Sequence, residues 1–410
     1  MGREARSRWT RPKQSLARVP ARASLGASFG TYEQSVEVVS LSRLARGGGG
    51  VPGRIVRVER TMLGGVSFYD VHAVEVPHAG RAAMRQRGAA LPRLAARLVA
   101  SGRPGLLRLR ARANLRVFVR NRLVAWRLPR HAALEAAAAA RGGQDALAMA
   151  LADVPEDVAS VSREAQDAGG RTASAGLAFQ PGNLKLHGRN LVEPISWMSR
   201  HPGFADTIAA VAGAIGEAVC DVDPVAHDRM RMDIAARVLR PIEEEARRAR
   251  EAAAALAPGA PAALRAGLEA RAARAAACRP LSGVHTTAQL SVDATVSGHA
   301  DANNARRSAS AVAVLHKRGE GGEEYAGGHI VLANLLLDFP AGPGAIYSAD
   351  FGRITHLSTP PDGDANAASG AHRVAVIAYT PQAVIDNTWK GRMAKAPAVR
   401  GHGGEKNPRN

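Results

Sequence analysis

The sequence predicts an α+β protein in which a helical block precedes a series of short strands that form a sandwich or jelly roll. Apolar residues follow a helical period over residues 190–278, whereas from residue 284 onward they recur with a period of about two. Glycine and proline turns separate the short C-terminal segments, as expected of antiparallel strands. At 410 residues the chain is long enough for more than one domain.

The N-terminal part is predicted to contain a basic arm and a mixed domain. Residues 1–35 are rich in Arg and poor in acidic residues, which is typical of an organelle transit peptide and also of a disordered arm that binds nucleic acid. Residues 36–170 mix alternating and helical segments, so we expect an α/β domain of unknown role. Within it, residues 105–128 predict a two-stranded ribbon with one basic face. A polar, glycine-containing stretch predicts a linker at 170–182.

The second part, residues 183–390, is expected to form one domain. Residues 190–278 would support it with helices, and residues 284–381 would form its β core. The polar residues 391–410 are expected to be a flexible tail. The predicted helices are Ala205–Val219, Ala226–Leu256 with a break at Pro241, and 262–278. The predicted strands are Thr287–Val296, Ser308–Leu315, His329–Leu335, Ala345–Ser348 and Val374–Thr380.

Composition limits the classes of partner and compartment. The formal net charge of +19 favours a polyanionic partner, but only six of the 55 basic residues are Lys, and a bias towards Arg, Ala, Gly and Pro is also typical of GC-rich coding. Two cysteines exclude a disulfide framework, so we expect a reducing compartment. We expect no membrane span and identify no stable protein partner. The candidate phosphate contacts are Arg108, Arg110, Arg112, Arg116, Arg120, Arg122, Arg306, Arg307 and the arm 3–22.

Three residues of the strand region could ligate one metal ion: His299, Asp301 and His356. In an extended chain His299 and Asp301 point to the same side, because the side-chain period is two. His356 follows the strand predicted near residues 344–349, so it can approach the same ion from the end of a strand distant in sequence. Two imidazoles and a carboxylate form the mononuclear non-haem Fe(II) site that leaves positions open for substrate and oxygen.

Arg373 lies seventeen residues after His356, within a predicted apolar strand. A buried cation is costly without an anionic partner, and the guanidinium fork matches a carboxylate. If its side chain is buried, Arg373 is therefore expected to have an anionic partner. Alternation could instead place the side chain on the outer face of the strand, where charged residues are usually exposed.

Residues 284–381 resemble the double-stranded β-helix of the Fe(II)/2-oxoglutarate-dependent dioxygenases, and among these the TET/JBP-like group that includes fungal and algal members. The matching landmarks are His299-Ala-Asp301, Gly327–Leu332, Pro343–Tyr347, His356 and Arg373–Tyr379. The resemblance implies that His299, Asp301 and His356 bind Fe(II) and form the catalytic centre, and that Arg373 binds the distal carboxylate of the cosubstrate 2-oxoglutarate. Ala345, Ala375 and Asp293 depart from the usual pattern near the cosubstrate.

For the substrate, the resemblance implies the 5-methyl group of a pyrimidine in DNA, which would be flipped out of the duplex before hydroxylation. A protein (prolyl-type) or small-molecule hydroxylase of the same superfamily shares the ligand set and is an alternative. A non-catalytic, basic nucleic-acid-binding module is a second alternative, against which the intact triad argues. We expect the protein inside the cell, in the nucleus rather than in an organelle.

Overall fold

A computed structural model describes the chain outside a set of gaps. The described residues are 37–40, 55–74, 107–110, 113–159, 170–179, 192–294, 296, 299–301, 303–305, 308–335, 337–339, 342–358 and 363–390. The predictions for residues 1–35 and for the tail 391–410 concern residues outside these ranges. The same holds for residues 79–100, where the apolar pattern of the sequence also predicts a helix.

The architecture is α+β, as predicted, with two β-sheets and several helices. The strands are β1 (Glu37–Ser40), β2 (Ile55–Leu63), β3 (Val66–Ala73), β4 (Leu107–Arg110), β5 (Asn114–Val119), β6 (Arg122–Leu128), β7 (Arg171–Phe179), β8 (Val192–Pro194), β9 (Thr287–Val292), β10 (Ser310–Lys317), β11 (Ile330–Leu332), β12 (Leu337–Phe339), β13 (Ile346–Ala349), β14 (His356–Ser358) and β15 (His372–Tyr379). The large sheet has the order β2-β3-β5-β6-β13-β10-β15-β9-β7-β8, and the small sheet the order β1-β4-β12-β11-β14.

Helices occupy the middle of the chain and its C-terminal end. They are α1 (Ala132–Ala139), α2 (Gln144–Ala152), α3 (Pro202–Val222), α4 (Pro224–Ile234), α5 (Arg240–Ala254), α6 (Ala262–Ala277), α7 (Gly363–Ser369) and α8 (Gln382–Lys390). The predicted break at Pro241 is a wide turn instead, since a π-helical turn, Ala235–Leu239, joins α4 to α5. A proline clashes with the carbonyl four residues earlier, and a wider turn relieves that clash without ending the helix.

One face of the large sheet is apolar and carries the helices. Alternate residues of the central strands, such as Leu290, Leu315 and Val376, pack against one side of α3, where Ile208 and Ile215 are fully buried. Helix α3 has the length and hydropathy of a membrane span, and 56% of its most apolar window is buried inside the protein. Its apolar face therefore has a partner in the sheet, as in the core helix of a globular domain.

The opposite face of the large sheet meets the small sheet and is more polar. Val312 and Val314 of β10 pack with Ile330 and Leu332 of β11 in a second core cluster. Because paired residues of neighbouring strands share a face, the pairing of His316 with Arg373 places both in this interior. The alternative position of Arg373 on the outer face is thus excluded. Strand β14, which carries the candidate ligand His356, pairs with β11 on the same interior.

Strands from the first half of the chain extend both sheets. The predicted ribbon is present as β5 and β6, and β6 pairs with β13 of the β core. Strand β4 pairs with β12 in the small sheet. The linker predicted at 170–182 is wrong, because residues 171–179 form β7 against β9. The domain division near residue 170 stays a prediction.

Candidate metal centre

The structure brings His299, Asp301 and His356 together. Their ligand atoms all lie within 4.8 Å of one another, and no other group of three His, Cys, Asp or Glu residues in the described part of the chain does so. The Oδ1 atom of Asp301 is 3.1 Å from Nε2 of His299 and 4.0 Å from Nε2 of His356. Metal–ligand bonds are about 2 Å long, so ligands of one ion lie no more than about 4 Å apart. The two distances from Oδ1 of Asp301 satisfy that limit.

Backbone hydrogen bonds hold the two histidines side by side. The amide of His299 donates to the carbonyl of His356 at 3.0 Å, and the amide of His356 donates back at 2.9 Å. This antiparallel bridge sets the two imidazole centroids 4.4 Å apart. The amide of Asp301 donates to the carbonyl of Phe351 at 2.8 Å, which fixes the third ligand to the loop before β14. Residues distant in sequence are thereby joined before any ion binds.

His356 is prepared to bind a metal through Nε2. Its Nδ1 lies 3.2 Å from the carbonyl of Ile354, which can only accept, so Nδ1 carries the proton. Burial, together with the charge of His299, lowers the pKa of His356 to about 4. The neutral imidazole is the form that coordinates metals, and a hydrogen bond on the other nitrogen fixes the tautomer.

The Asp301 carboxylate is kept ionised. Burial raises its pKa, but the hydrogen bond with His299 and the charges of both histidines outweigh burial, so the pKa is lowered. Two imidazoles and a carboxylate suit Fe(II), and three protein ligands leave coordination positions open. The donor set therefore fits the ion that the sequence predicts.

Arg373 is buried without an acidic partner. Its side chain is only 5% exposed, and no carboxylate among the described residues lies within ion-pairing distance of it. Nη1 donates to the carbonyl of Gly328, Nη2 donates to that of Ala294 at 3.2 Å, and the buried Nε has no partner in the described structure. A buried guanidinium that meets only neutral acceptors retains charge for an anionic ligand.

Gly328 makes room for this guanidinium. Its φ of +71° is a left-handed conformation that favours glycine, and a Cβ there would overlap Nη1 of Arg373. Two tyrosines, Tyr325 and Tyr347, are buried nearby; burial raises the pKa of each, and the charge of Arg373 opposes that rise. Their hydroxyls are thus neutral donors close to the cation.

Some arginines predicted from the sequence to contact phosphates are paired with carboxylates of the protein instead. Arg116 donates to Asp70 at 2.8 Å and 2.7 Å, and Arg122 pairs with Asp350 at 2.9 Å. Arg120 is exposed in a turn at the end of β5. Arg112, Arg306, Arg307 and the arm 3–22 lie outside the described residues, and β4 is described by its backbone alone.

Sequence reasoning missed Asn304 and the role of Asp293. The side-chain amide of Asn304 donates to Oδ2 of Asp301 at 3.1 Å. Asp293 accepts from the backbone amide of Arg373 at 2.8 Å and from the His372 ring at 2.6 Å. The signal for Asn304 was its position three residues after Asp301, because the first and fourth residues of a turn lie close together. Asp293 had no comparable local signal, because its partners come from β15.

Comparisons with known proteins were made over the whole chain. No protein-family model and no curated protein matches it. Among solved structures it is similar to NgTET1 in complex with 5mC DNA, with a TM-score of 0.36 and 8% sequence identity, over 68% of this chain and 80% of that one. At this TM-score and identity the similarity supports no conclusion about function.

Proposed function

We propose that the chain is an Fe(II)- and 2-oxoglutarate-dependent dioxygenase. The observation that carries this proposal is the convergence of the ligand atoms of His299, Asp301 and His356 within 4.8 Å, where the bridge at His299 meets β14. A second support is Arg373, a buried cation with no acidic partner in the described structure. The two features together match an ion and a dicarboxylate bound in one interior.

We propose further that the β core is a double-stranded β-helix. From β9 the chain passes to the bridge at His299 beside the small sheet, then to β10 in the large sheet, and then to the β11–β12 hairpin in the small one. It returns to the large sheet at β13, crosses again at β14 and ends in the large sheet at β15. Eight segments that alternate between two facing sheets are the winding of a jelly roll.

Arg373 contacts the chain just before the strand that pairs with His356. Its guanidinium donates to the carbonyl of Gly328, two residues before β11, and Leu332 of β11 pairs with His356. We propose that Arg373 holds one carboxylate of 2-oxoglutarate while the other end of the cosubstrate binds the ion.

Bound Fe(II), with 2-oxoglutarate and oxygen, supplies an oxidant able to hydroxylate an unactivated C–H bond. The chain's own residues provide the rest. His299, Asp301 and His356 would hold the ion, and three protein ligands would leave coordination positions for the cosubstrate and oxygen. Arg373 orients the cosubstrate, and the apolar neighbours Ile330 and Leu332 exclude water from it.

Anaerobic titration with Fe(II) and measurement of succinate test the proposal. The unaltered protein is expected to bind one equivalent and to convert 2-oxoglutarate to succinate. His356→Ala should abolish both, while the control His201→Ala should change neither, because His201 is an exposed residue paired with Asp157. Absence of Fe(II) binding by the unaltered protein would refute the proposal.

For the substrate we propose the 5-methyl group of a pyrimidine in DNA, supported by the net charge of +19. Nuclear localisation is part of the same proposal. Mass spectrometry of nucleosides after incubation with methylated DNA should show oxidised 5-methylcytosine or thymine. Unchanged bases with continued succinate production would refute a DNA substrate and favour the protein or small-molecule hydroxylase. Retained DNA binding without succinate production would favour the non-catalytic module.

A further inference from the structure

The two oxygens of the Asp301 carboxylate have different partners. Oδ1 faces the Nε2 atoms of His299 and His356, at 3.1 Å and 4.0 Å. Oδ2 instead accepts a hydrogen bond of 3.1 Å from the side-chain amide of Asn304. One oxygen is therefore directed at the position where an ion would bind, and the other is directed away from it and occupied.

Asn304 is itself held in place from several sides. Its Nδ2 also contacts Oγ of Ser310 at 2.7 Å, and its backbone amide donates to the carbonyl of Asp301 at 3.1 Å. The turn is tied to the end of β15, because Asn304 bridges to Pro381 and the next amide, of Ala305, donates to the carbonyl of Thr380. These contacts hold the Asn304 amide group beside Asp301 without any contribution from an ion.

The orientation of the Asn304 amide follows from its partners. An ionised carboxylate can only accept, so the nitrogen and not the oxygen of the amide must face Oδ2 of Asp301. The two hydrogens of that nitrogen match its two contacts, one to Asp301 and one to Ser310. The donor pattern is complete without a water or a further residue.

We propose that Asn304 is a positioning residue that makes Asp301 a monodentate ligand. A carboxylate that binds through both oxygens would occupy two coordination positions, and Asn304 prevents this by retaining Oδ2. The second coordination position then stays available for the cosubstrate or oxygen. This inference rests on the proposed function, since it assigns Asn304 a task only if an ion binds at His299, Asp301 and His356.

Titration of the full chain with Co(II) alone, followed by its visible absorption, tests the inference without turnover. Asn304→Leu keeps a similar side-chain size and removes the donor, and Asn303→Ala is the matched control because Asn303 is an exposed neighbour. We expect Asn304→Leu to bind Co(II) about 10–100-fold more weakly. We also expect weaker visible bands, because a second bound oxygen raises the coordination number. Asn303→Ala should behave as the unaltered protein does.

The possible outcomes separate the two proposals. If Asn304→Leu lowers the melting temperature but leaves Co(II) affinity and spectrum unchanged, Asn304 has only a structural role and the inference is overturned. If the unaltered protein binds no Co(II), the proposed function is overturned as well. Should Asn304→Leu fail to fold, Asn304→Ala and Ser310→Ala offer the same readout. Ser310→Ala removes one support of the Asn304 amide and should weaken Co(II) binding less than Asn304→Ala does.

Discussion

Two arginines in different regions of the large sheet, Arg116 and Arg373, have opposite surroundings. Arg116, among the N-terminal strands, is neutralised by Asp70 through two hydrogen bonds of 2.8 Å and 2.7 Å. Arg373, in the β core, is buried more completely but meets only the carbonyls of Gly328 and Ala294. The first cation is paired with a carboxylate, whereas the second has no acidic partner among the described residues. The partners of an arginine, and not its burial alone, therefore indicate whether it is available to bind a ligand.

The largest effect is expected at Arg373. Arg373→Met should lower kcat/KM for 2-oxoglutarate by about 100-fold or more, because losing one side of a buried charged pair costs about 2–5 kcal/mol. The unfolding free energy should not fall, since an unpaired buried cation is removed. Succinate formation against 2-oxoglutarate concentration, with urea unfolding in parallel, measures both. An unchanged KM would contradict a role in cosubstrate binding.

Arg116→Met should show the reverse pattern. The free energy of unfolding should fall by about 3–5 kcal/mol, because Asp70 is left as an uncompensated buried charge. Turnover per folded molecule should be unchanged. The double variant Arg116→Met with Asp70→Leu is the control, and it should recover most of the loss. A loss of turnover without a loss of stability would remove the distinction between the two arginines.

A smaller effect is expected at Gly328, which lies against Arg373. Gly328→Ala should cost about 1–2 kcal/mol for a left-handed residue with a Cβ, and should also displace the guanidinium. We expect KM for 2-oxoglutarate to rise about tenfold, equivalent to 1.4 kcal/mol. Gly342→Ala is the control, since a Cβ there meets no neighbouring atom. Equal effects of the two substitutions on KM would show that Gly328 is not needed to make room for the Arg373 guanidinium.

The smallest effect is expected at the exposed pair of Arg122 and Asp350. Their atoms are 2.9 Å apart, but the Arg122 side chain is 59% exposed, so solvent screens the pair. Arg122→Ala should change the unfolding free energy by less than about 1 kcal/mol. Urea unfolding compared with Arg116→Met measures the contrast. A loss similar to that of Arg116→Met would show that exposure is a poor guide to the value of these pairs.

The sequence was sufficient to identify the three candidate ligands, because their residue types and spacing are visible locally. The spacing of His299 and Asp301, the following strands and the apolar run after Arg373 are each visible in the sequence, and the structure joins these residues as expected. The five predicted C-terminal strands are present with bounds that shift by a few residues. In this part of the chain, residue type and the period of the apolar residues were enough to predict the strands and the candidate ligands.

The parts that could not be predicted depend on long-range pairing or on small side chains. Strand β7 was mistaken for a linker because its buried residues include Ala173 and Ala175, which give almost no apolar contrast. The attachment of β6 to β13 joins residues more than 200 positions apart, and no local period reports it. The chain after β14 contains α7, a helix that is not among those predicted from the sequence. The hydrogen bond from Asn304 to Asp301 could be recognised only from the geometry of the turn.

The reciprocal backbone bonds between His299 and His356 have a consequence for the lifetime of the site. The two amides protect each other, so both should exchange with deuterium only when the two segments separate. That separation also pulls apart two of the three candidate ligands. We therefore expect the rate of metal loss and the exchange rate of these two amides to change together when the temperature or a distant substitution alters local opening.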